Sequence, residues 1–229
     1  MLADPACLGN LLESAGEALF DPDYWLKRGE LAAVNGGRGA AWFVRSGADQ
    51  WVLRHFRRGG YFAGLSRDKY MWSGETRVRA FAEWRLLELL TLRGLPVPQP
   101  VAARYRRSGL IYRCDLITRR IAHAQPLSAA LAAASIPEPV WRAIGAAVSR
   151  LHGAGVDHAD LNAHNILLAG QGDISVIDFD RSRLRPAGPW MQRNLARLRR
   201  SLDKVTRDLP RERFSGAAWD WLLSGYRSG

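Results

Sequence analysis

Residues 158–168 read HADLNAHNILL, and residues 176–180 read VIDFD. The first stretch places Asp160 five residues before Asn165, and the second adds Asp178 thirteen residues after that asparagine. An interval of this length fits two short strands joined by a tight turn. A hairpin between the two stretches would return Asp178 to the side of Asn165. The spacing therefore predicts one compact cluster of three polar side chains.

This spacing is typical of phosphotransferase catalytic loops. In that pattern the loop Asp accepts the proton of the attacking hydroxyl, while the Asn and the later Asp hold magnesium ions that bridge the nucleotide phosphates. We therefore predict Asp160 as catalytic base, Asn165 and Asp178 as metal ligands, and ATP and Mg²⁺ as cofactors. For His158 we expect an architectural role, because the histidine at this place in kinases packs beneath the metal-binding Asp. Buried carboxylates satisfied by backbone amides, or a kinase fold without activity, are the structural alternatives.

The first half of the chain has the pattern of a small antiparallel sheet with one helix. Two apolar runs within residues 40–56, AWFV and QWVLRHF, flank a turn-like SGAD and predict a β-hairpin. Apolar residues recur at near-helical spacing over residues 75–93, until Gly94 and Pro96 end the helix. Two further short strands follow, around residues 101–105 and 110–118.

The second half has mainly helical periodicity. Pro139 opens a helix in which Trp141, Ile144, Val148 and Leu151 form an apolar stripe. Short strands are predicted over 165–168 and 174–179, and a last helix after Pro189 carries its own apolar face. The members of that face are Met191, Leu195, Leu198, Leu202 and Val205.

These elements together predict an α+β fold of the bilobal protein-kinase-like type. The N-lobe, residues 1–118, is expected to hold a small antiparallel sheet with one helix and to bind the nucleotide. The C-lobe, residues 119–229, is expected to be mainly helical and to carry the catalytic loop and the metal-binding hairpin.

Candidate nucleotide-binding residues lie in the first half. Gly36, Gly37 and Gly39 would let backbone amides approach a triphosphate, since glycine removes the steric bar to close contact. Kinases place a lysine on the strand that follows, where it holds the α- and β-phosphates and pairs with a glutamate on the next helix. Here that strand position is Arg54. We predict phosphate binding for Arg54, with Glu83 as its helix partner.

The chain of 229 residues is strongly basic, with 33 Lys and Arg against 22 Asp and Glu and a formal net charge of +11. Arginine dominates and favours bidentate contact with phosphate, so anionic partners are plausible, although a high-GC genome would also enrich arginine. Nucleic acid is not expected, because no recognition motif is present.

The two cysteines form no ligand pattern, which favours a reducing compartment. No apolar run predicts a membrane span, and the N-terminus lacks a signal-peptide pattern.

Beyond the catalytic loop, several motifs resemble the 3-deoxy-D-manno-octulosonic acid (Kdo) kinase family. They are LRHFRRGG at residues 53–60 and LPVPQP at residues 95–100. The loop itself carries Asn162 where protein Ser/Thr kinases carry lysine, and Asp180 where they carry the glycine of DFG. The resemblance covers most of the chain and separates it from the protein kinases.

The resemblance implies ATP-dependent phosphorylation of a Kdo hydroxyl, with the 4-hydroxyl expected, on a lipid A precursor in lipopolysaccharide inner-core synthesis. The implied location is the cytoplasmic face of the bacterial inner membrane, as a peripheral protein on an anionic surface. A kinase of the aminoglycoside or choline kinase type, and a non-catalytic kinase-like module that binds anions, remain alternatives. No pattern predicts an oligomeric state. Arginines that would steer the protein to an anionic surface are Arg57, Arg58, Arg181, Arg183, Arg185, Arg193, Arg197, Arg199 and Arg200.

Overall fold

The computed structural model describes residues 1–33, 41–57, 68–170 and 172–229. The chain divides into two compact units. Unit 1 comprises residues 1–88 and 99–120, and unit 2 comprises residues 89–98 and 121–229. Helices and antiparallel strands both contribute, so the predicted α+β class is confirmed.

Unit 1 is built on an antiparallel sheet, which has seven strands among the described residues. The strands are β1 (Leu2–Ala3), β2 (Leu31–Ala33), β3 (Ala41–Ser46), β4 (Asp49–His55), β5 (Tyr70–Met71), β6 (Pro100–Ser108) and β7 (Ile111–Arg119). Their order is β1-β6-β7-β4-β3-β2, and β5 pairs with β7. The predicted hairpin is the β3–β4 pair, which runs in register from Ala41 opposite Arg54 to Ser46 opposite Asp49.

The predicted long helix of the first half is α4 (Arg79–Leu92), which a 3₁₀ turn over Glu75–Arg77 precedes. Its buried side chains include Phe81 and Leu90, which follow the predicted apolar spacing. The chain leaves the helix at Gly94, whose φ of 65° is readily adopted only by glycine.

Residues 1–33 add short elements that the sequence pattern did not predict. They are α1 (Pro5–Leu8), α2 (Leu11–Ala15), a 3₁₀ helix (Gly16–Phe20) and α3 (Pro22–Lys27). Trp25 is fully buried, donates its indole N–H to the Leu19 carbonyl at 2.8 Å, and packs edge-on against Trp51 of β4. The prediction of one helix for this lobe was incomplete, because helices of four to six residues are too short to show periodicity.

Unit 2 is rich in helices. Its elements are β8 (Ala124–Pro126), α5 (Leu127–Ala133), α6 (Glu138–Gly153), β9 (Val156–Asp157), β10 (Ile166–Ala169), β11 (Asp173–Val176), β12 (Arg183–Leu184), α7 (Trp190–Val205), a 3₁₀ turn (Arg211–Arg213) and α8 (Gly216–Ser228). The predicted apolar stripe of α6 is buried, and Leu195, Leu198 and Leu202 of α7 are buried with it. Within the described ranges, no helix is both long and apolar enough to cross a bilayer.

Helices α6 and α8 approach so closely that two glycines are required at the contact. A Cβ atom on Gly145 would overlap the carbonyl oxygen of Leu222, and one on Gly225 would overlap the carbonyl oxygen of Arg142. Both obstacles are backbone atoms, which cannot rotate away as a side chain can. The crossing therefore depends on glycine for steric reasons.

We predict that Gly145→Ala lowers the free energy of unfolding by about 1–3 kcal/mol, because the added methyl group forces the two helices apart. Urea denaturation measures the loss as a lower midpoint. Gly153→Ala at the end of α6 is the matched control, since a Cβ there meets no heavy atom within 4 Å. Equal midpoints for the two variants would contradict the packing argument.

Candidate active site

The catalytic-loop motif lies in unit 2, between β9 and β10. Asp160 is at the surface, with 62% of its side chain exposed, whereas Asn165 is buried. The side-chain amide nitrogen of Asn165 donates to the backbone carbonyl of Asp160 at 2.9 Å. The proposed base and the proposed metal ligand are thus joined through one hydrogen bond.

Asn162 shapes the turn between these two residues. Its Oδ1 accepts from the backbone amides of His164 at 2.8 Å and Asn165 at 3.2 Å, and its Nδ2 donates to the Asp160 carbonyl at 3.0 Å. Asn side chains stabilise turns in this way by replacing backbone hydrogen bonds. The asparagine that distinguishes this loop from that of protein kinases therefore has a structural role here.

His158 is buried beneath the loop, with 1% of its surface exposed. Its Nδ1 accepts from the backbone amide of Asp160 at 3.2 Å, so Nε2 carries the proton and donates to the Ile177 carbonyl at 3.1 Å. Its ring packs edge-on against Phe179, with the ring centroids 4.8 Å apart. Burial lowers the pKa of His158, which keeps the ring neutral near pH 7. The geometry suits an architectural histidine that links the two motif stretches.

The hairpin of β10 and β11 brings the second Asp back to the loop. Ile166 pairs with Val176, and the backbone amide of Ile177 donates to the Asn165 carbonyl at 2.9 Å. Asp178 follows directly. The predicted strand over 174–179 is wrong at its end, because β11 stops at Val176 and Asp178 has a φ of 65°. A residue in this left-handed region cannot continue a strand.

A polar stripe on α7 forms hydrogen bonds with the loop between β9 and β10. Asn194, Arg197 and Ser201 are spaced by three and four residues and so lie on one helical face. The Asn194 side chain accepts from the His158 amide at 3.1 Å and donates to Asp157 at 3.0 Å. Ser201 Oγ accepts from the backbone amide of Ala163 at 3.1 Å, and Arg197 donates to the Ala159 carbonyl.

Sequence reasoning missed these supporting residues. It assigned α7 an apolar core face and gave no role to Asn194, Ser201 or Ser182. The Ser182 Oγ accepts from the Ala159 amide at 3.2 Å. The signal available in the sequence was an asparagine next to Leu195, at a position where the apolar stripe of the helix predicts burial. A buried amide requires hydrogen-bond partners, and here the loop supplies them.

The proposed phosphate-binding pair lies in unit 1. Arg54 on β4 forms an ion pair with Glu83 on α4, and its guanidinium also lies over the Phe56 ring, 4.6 Å from the centroid. Glu83 is buried with 4% of its surface exposed, so an arginine partner is needed to compensate its charge. The predicted glycines Gly36, Gly37 and Gly39 lie outside the described residues.

Comparison with known proteins agrees with this geometry. The model of the "Lipopolysaccharide kinase (Kdo/WaaP) family" matches residues 22–226. The chain belongs to this family. Curated proteins named "3-deoxy-D-manno-octulosonic acid kinase" are similar to it over most of its length. The protein of Xanthomonas campestris pv. campestris (strain B100) is 48% identical over 202 residues, which cover 88% of this chain and 80% of the relative.

Two further relatives carry the same name. The protein of Stenotrophomonas maltophilia (strain K279a) is 46% identical over 195 residues, which cover 85% of this chain and 78% of the relative. The protein of Vibrio parahaemolyticus serotype O3:K6 is 41% identical over 194 residues, which cover 85% of this chain and 82% of the relative. The predicted family and enzyme class are confirmed: this lipopolysaccharide kinase is a phosphotransferase with an alcohol group as acceptor. Kinase membership also implies the use of ATP.

The two predicted metal ligands of this lipopolysaccharide kinase fit Mg²⁺ chemically. Mg²⁺ prefers oxygen ligands and usually takes only one or two carboxylates, together with water and substrate phosphates. The amide nitrogen of Asn165 donates to the Asp160 carbonyl, so its amide oxygen would be the atom that binds a cation. Asp178 supplies a carboxylate. Clusters of three or more His, Cys, Asp or Glu that could hold a metal are absent from the described part of the chain.

We predict that Asn194→Ala lowers kcat by about 10- to 100-fold, because a catalytic loop displaced by a fraction of an ångström loses the reactive geometry. Stability should fall by about 1–3 kcal/mol, since the Asp157 carboxylate and the His158 amide each lose a partner. Steady-state kinetics and urea denaturation measure the two effects. Gln192→Ala, at an exposed position of the same helix, is the control. Wild-type kcat in Asn194→Ala would show that α7 does not position the loop.

Proposed function

We propose that this kinase transfers the γ-phosphate of ATP to the 4-hydroxyl of a Kdo residue attached to a lipid A precursor. The reaction would take place at the cytoplasmic face of the bacterial inner membrane with Mg²⁺ as cofactor. The names and similarity of the relatives support Kdo as acceptor. They favour it over the aminoglycoside or choline type of acceptor.

The observation that carries the proposal is the hydrogen-bonded loop around Asp160. Its backbone carbonyl accepts from both Asn162 and Asn165, and its backbone amide donates to His158. The side chain is meanwhile exposed, so it can meet an acceptor hydroxyl. A fixed main chain with an accessible carboxylate is the arrangement that a general base requires.

Each site residue then has a distinct task. Asp160 accepts the proton of the attacking hydroxyl while the hydroxyl oxygen bonds to the γ-phosphorus. The bond between the γ-phosphorus and the bridging oxygen of the leaving ADP breaks in the same step. Asn165 and Asp178 would hold Mg²⁺, which when bound neutralises charge on the phosphates. Arg54 would bind phosphate oxygens, and its ion pair with Glu83 restrains the guanidinium. Positioning and charge stabilisation supply most of the catalysis in such transfers.

Exposed arginines support an anionic membrane and an anionic acceptor as partners. Arg181 and Arg183 are exposed beside the loop, and Arg193 and Arg200 are exposed on α7. Attraction of basic residues to an anionic leaflet is worth about 1 kcal/mol per residue near the surface.

The direct test supplies purified protein with γ-labelled ATP, Mg²⁺ and a Kdo-bearing lipid A precursor. Label should appear in the lipid, and NMR of the product should locate the phosphate on the 4-hydroxyl. Parallel reactions contain an aminoglycoside or choline as acceptor. Transfer to one of these, with none to the Kdo lipid, would refute the proposed acceptor.

We predict that Asp178→Ala weakens binding of the Mg²⁺–ATP complex by about 10-fold or more, because a charged metal contact is lost. Asp160→Ala should leave that affinity near the wild-type value and lower kcat by at least about 100-fold, since a base acts on the acceptor. Isothermal titration measures affinity, and turnover is measured separately.

The control for these variants is Asp173→Ala, which removes an exposed carboxylate from the same hairpin as Asp178. It should leave both affinity and turnover unchanged. Equal losses of nucleotide affinity in Asp160→Ala and Asp178→Ala would contradict the division of roles.

A further inference from the structure

Arg197 lies beside the proposed base in a way that the phosphotransfer roles above do not use. Its Nη1 donates to the backbone carbonyl of Ala159 and lies 3.8 Å from Asp160 Oδ1. The side chain of Arg197 is 44% exposed and that of Asp160 is 62% exposed. Both charged groups therefore meet the same solvent-facing space.

The guanidinium of Arg197 has hydrogen-bonding capacity left over. It carries five N–H donors in a planar fork, and within the described residues only Nη1 has a protein acceptor. The remaining donors suit a planar oxyanion, because carboxylates accept two parallel hydrogen bonds from arginine. One nitrogen fixes the side chain to the loop, and the other nitrogens keep donors that can bond an anion.

The carboxylate of Asp157, next to the loop, already has other partners. Asp157 Oδ2 pairs with Arg185 at 3.0 Å, and its Oδ1 accepts from Asn194 at 3.0 Å. Arg181 and Arg183 are exposed on the segment that returns to β9, and they add further positive charge to this face of unit 2. An anionic group that enters beside Asp160 is therefore favoured electrostatically.

We infer that Arg197 binds the carboxylate of the acceptor sugar acid and thereby sets its specificity; the inference rests on the proposed function. In Kdo the carboxyl group and the 4-hydroxyl are attached to the same sugar ring, on carbons separated by one other. An arginine that grips the carboxylate would fix the direction in which the hydroxyl approaches Asp160. The same charge would repel a cationic aminoglycoside, which separates this kinase from that alternative.

The test compares two acceptors that differ in one charge: the Kdo-bearing lipid A precursor and its Kdo methyl ester. For the wild-type protein, kcat/KM for the acid should exceed that for the ester by about 10- to 100-fold, the loss expected from a hydrogen-bonded charge. Arg197→Ala should abolish the preference and give similar values for both acceptors. Arg197→Lys, which keeps the charge without the fork, should show an intermediate ratio.

The matched control is Arg207→Ala, which removes an exposed arginine just after the end of α7 and should keep the wild-type ratio. A purely structural role for Arg197 would lower turnover with both acceptors equally and leave the ratio unchanged, which would overturn the inference. A higher KM for ATP at an unchanged ratio would assign Arg197 to the γ-phosphate and overturn it as well. Absence of transfer to either acceptor by the wild-type protein would instead refute the proposed function.

Discussion

The structure of the site depends on one constraint, which is that the irregular backbone between β9 and β10 must have its polar groups satisfied. A segment without regular secondary structure cannot pair its own amides and carbonyls, and unpaired groups are costly when buried. Side chains provide the partners here. His158, Asn162 and Asn165 act from within the loop, and Asn194 and Ser201 act from α7. The geometry of the proposed catalytic loop therefore depends on this hydrogen bonding.

The same constraint explains how the Asp160 side chain can be exposed. Asp160 has its backbone carbonyl and amide bonded, so the position of its Cα atom is fixed by the main chain. Its carboxylate can then be exposed for chemistry without loss of order. In unit 1 an ion pair has the corresponding role, because the buried Glu83 restrains the more exposed Arg54. In both units a buried partner orients a side chain to which we assign a function.

The sequence was most informative where function fixes spacing. The interval from Asp160 to Asn165 and on to Asp178 predicted the loop and the hairpin, because catalysis tolerates few other arrangements. The α6 stripe and the β3–β4 hairpin were predicted because periodicity follows directly from burial. The short helices of residues 1–33 were not, since they depend on tertiary packing around Trp25.

The tertiary hydrogen bonds could not be predicted either. The roles of Asn194 and Ser201 arise only when α7 packs under the loop, and the sequence marks at most the polar position of Asn194 in the apolar stripe, without its partners. The left-handed conformation of Asp178 likewise contradicts its local β-strand pattern, and ends β11 early. These departures from local preference lie at the site itself, where strained backbone is often found.

In the proposed mechanism, Asp160, held by this loop, acts in the chemical step of phosphoryl transfer. The most direct measurement is single-turnover transfer from ATP to the Kdo-bearing lipid, followed by rapid chemical quench in the wild-type protein and in Asp160→Asn. Asn has the size of Asp but cannot accept the proton, so the transfer rate constant should fall by about 100-fold or more at saturating substrates. A rate constant equal to that of the wild type would contradict this role of Asp160, since the base would then be a different group.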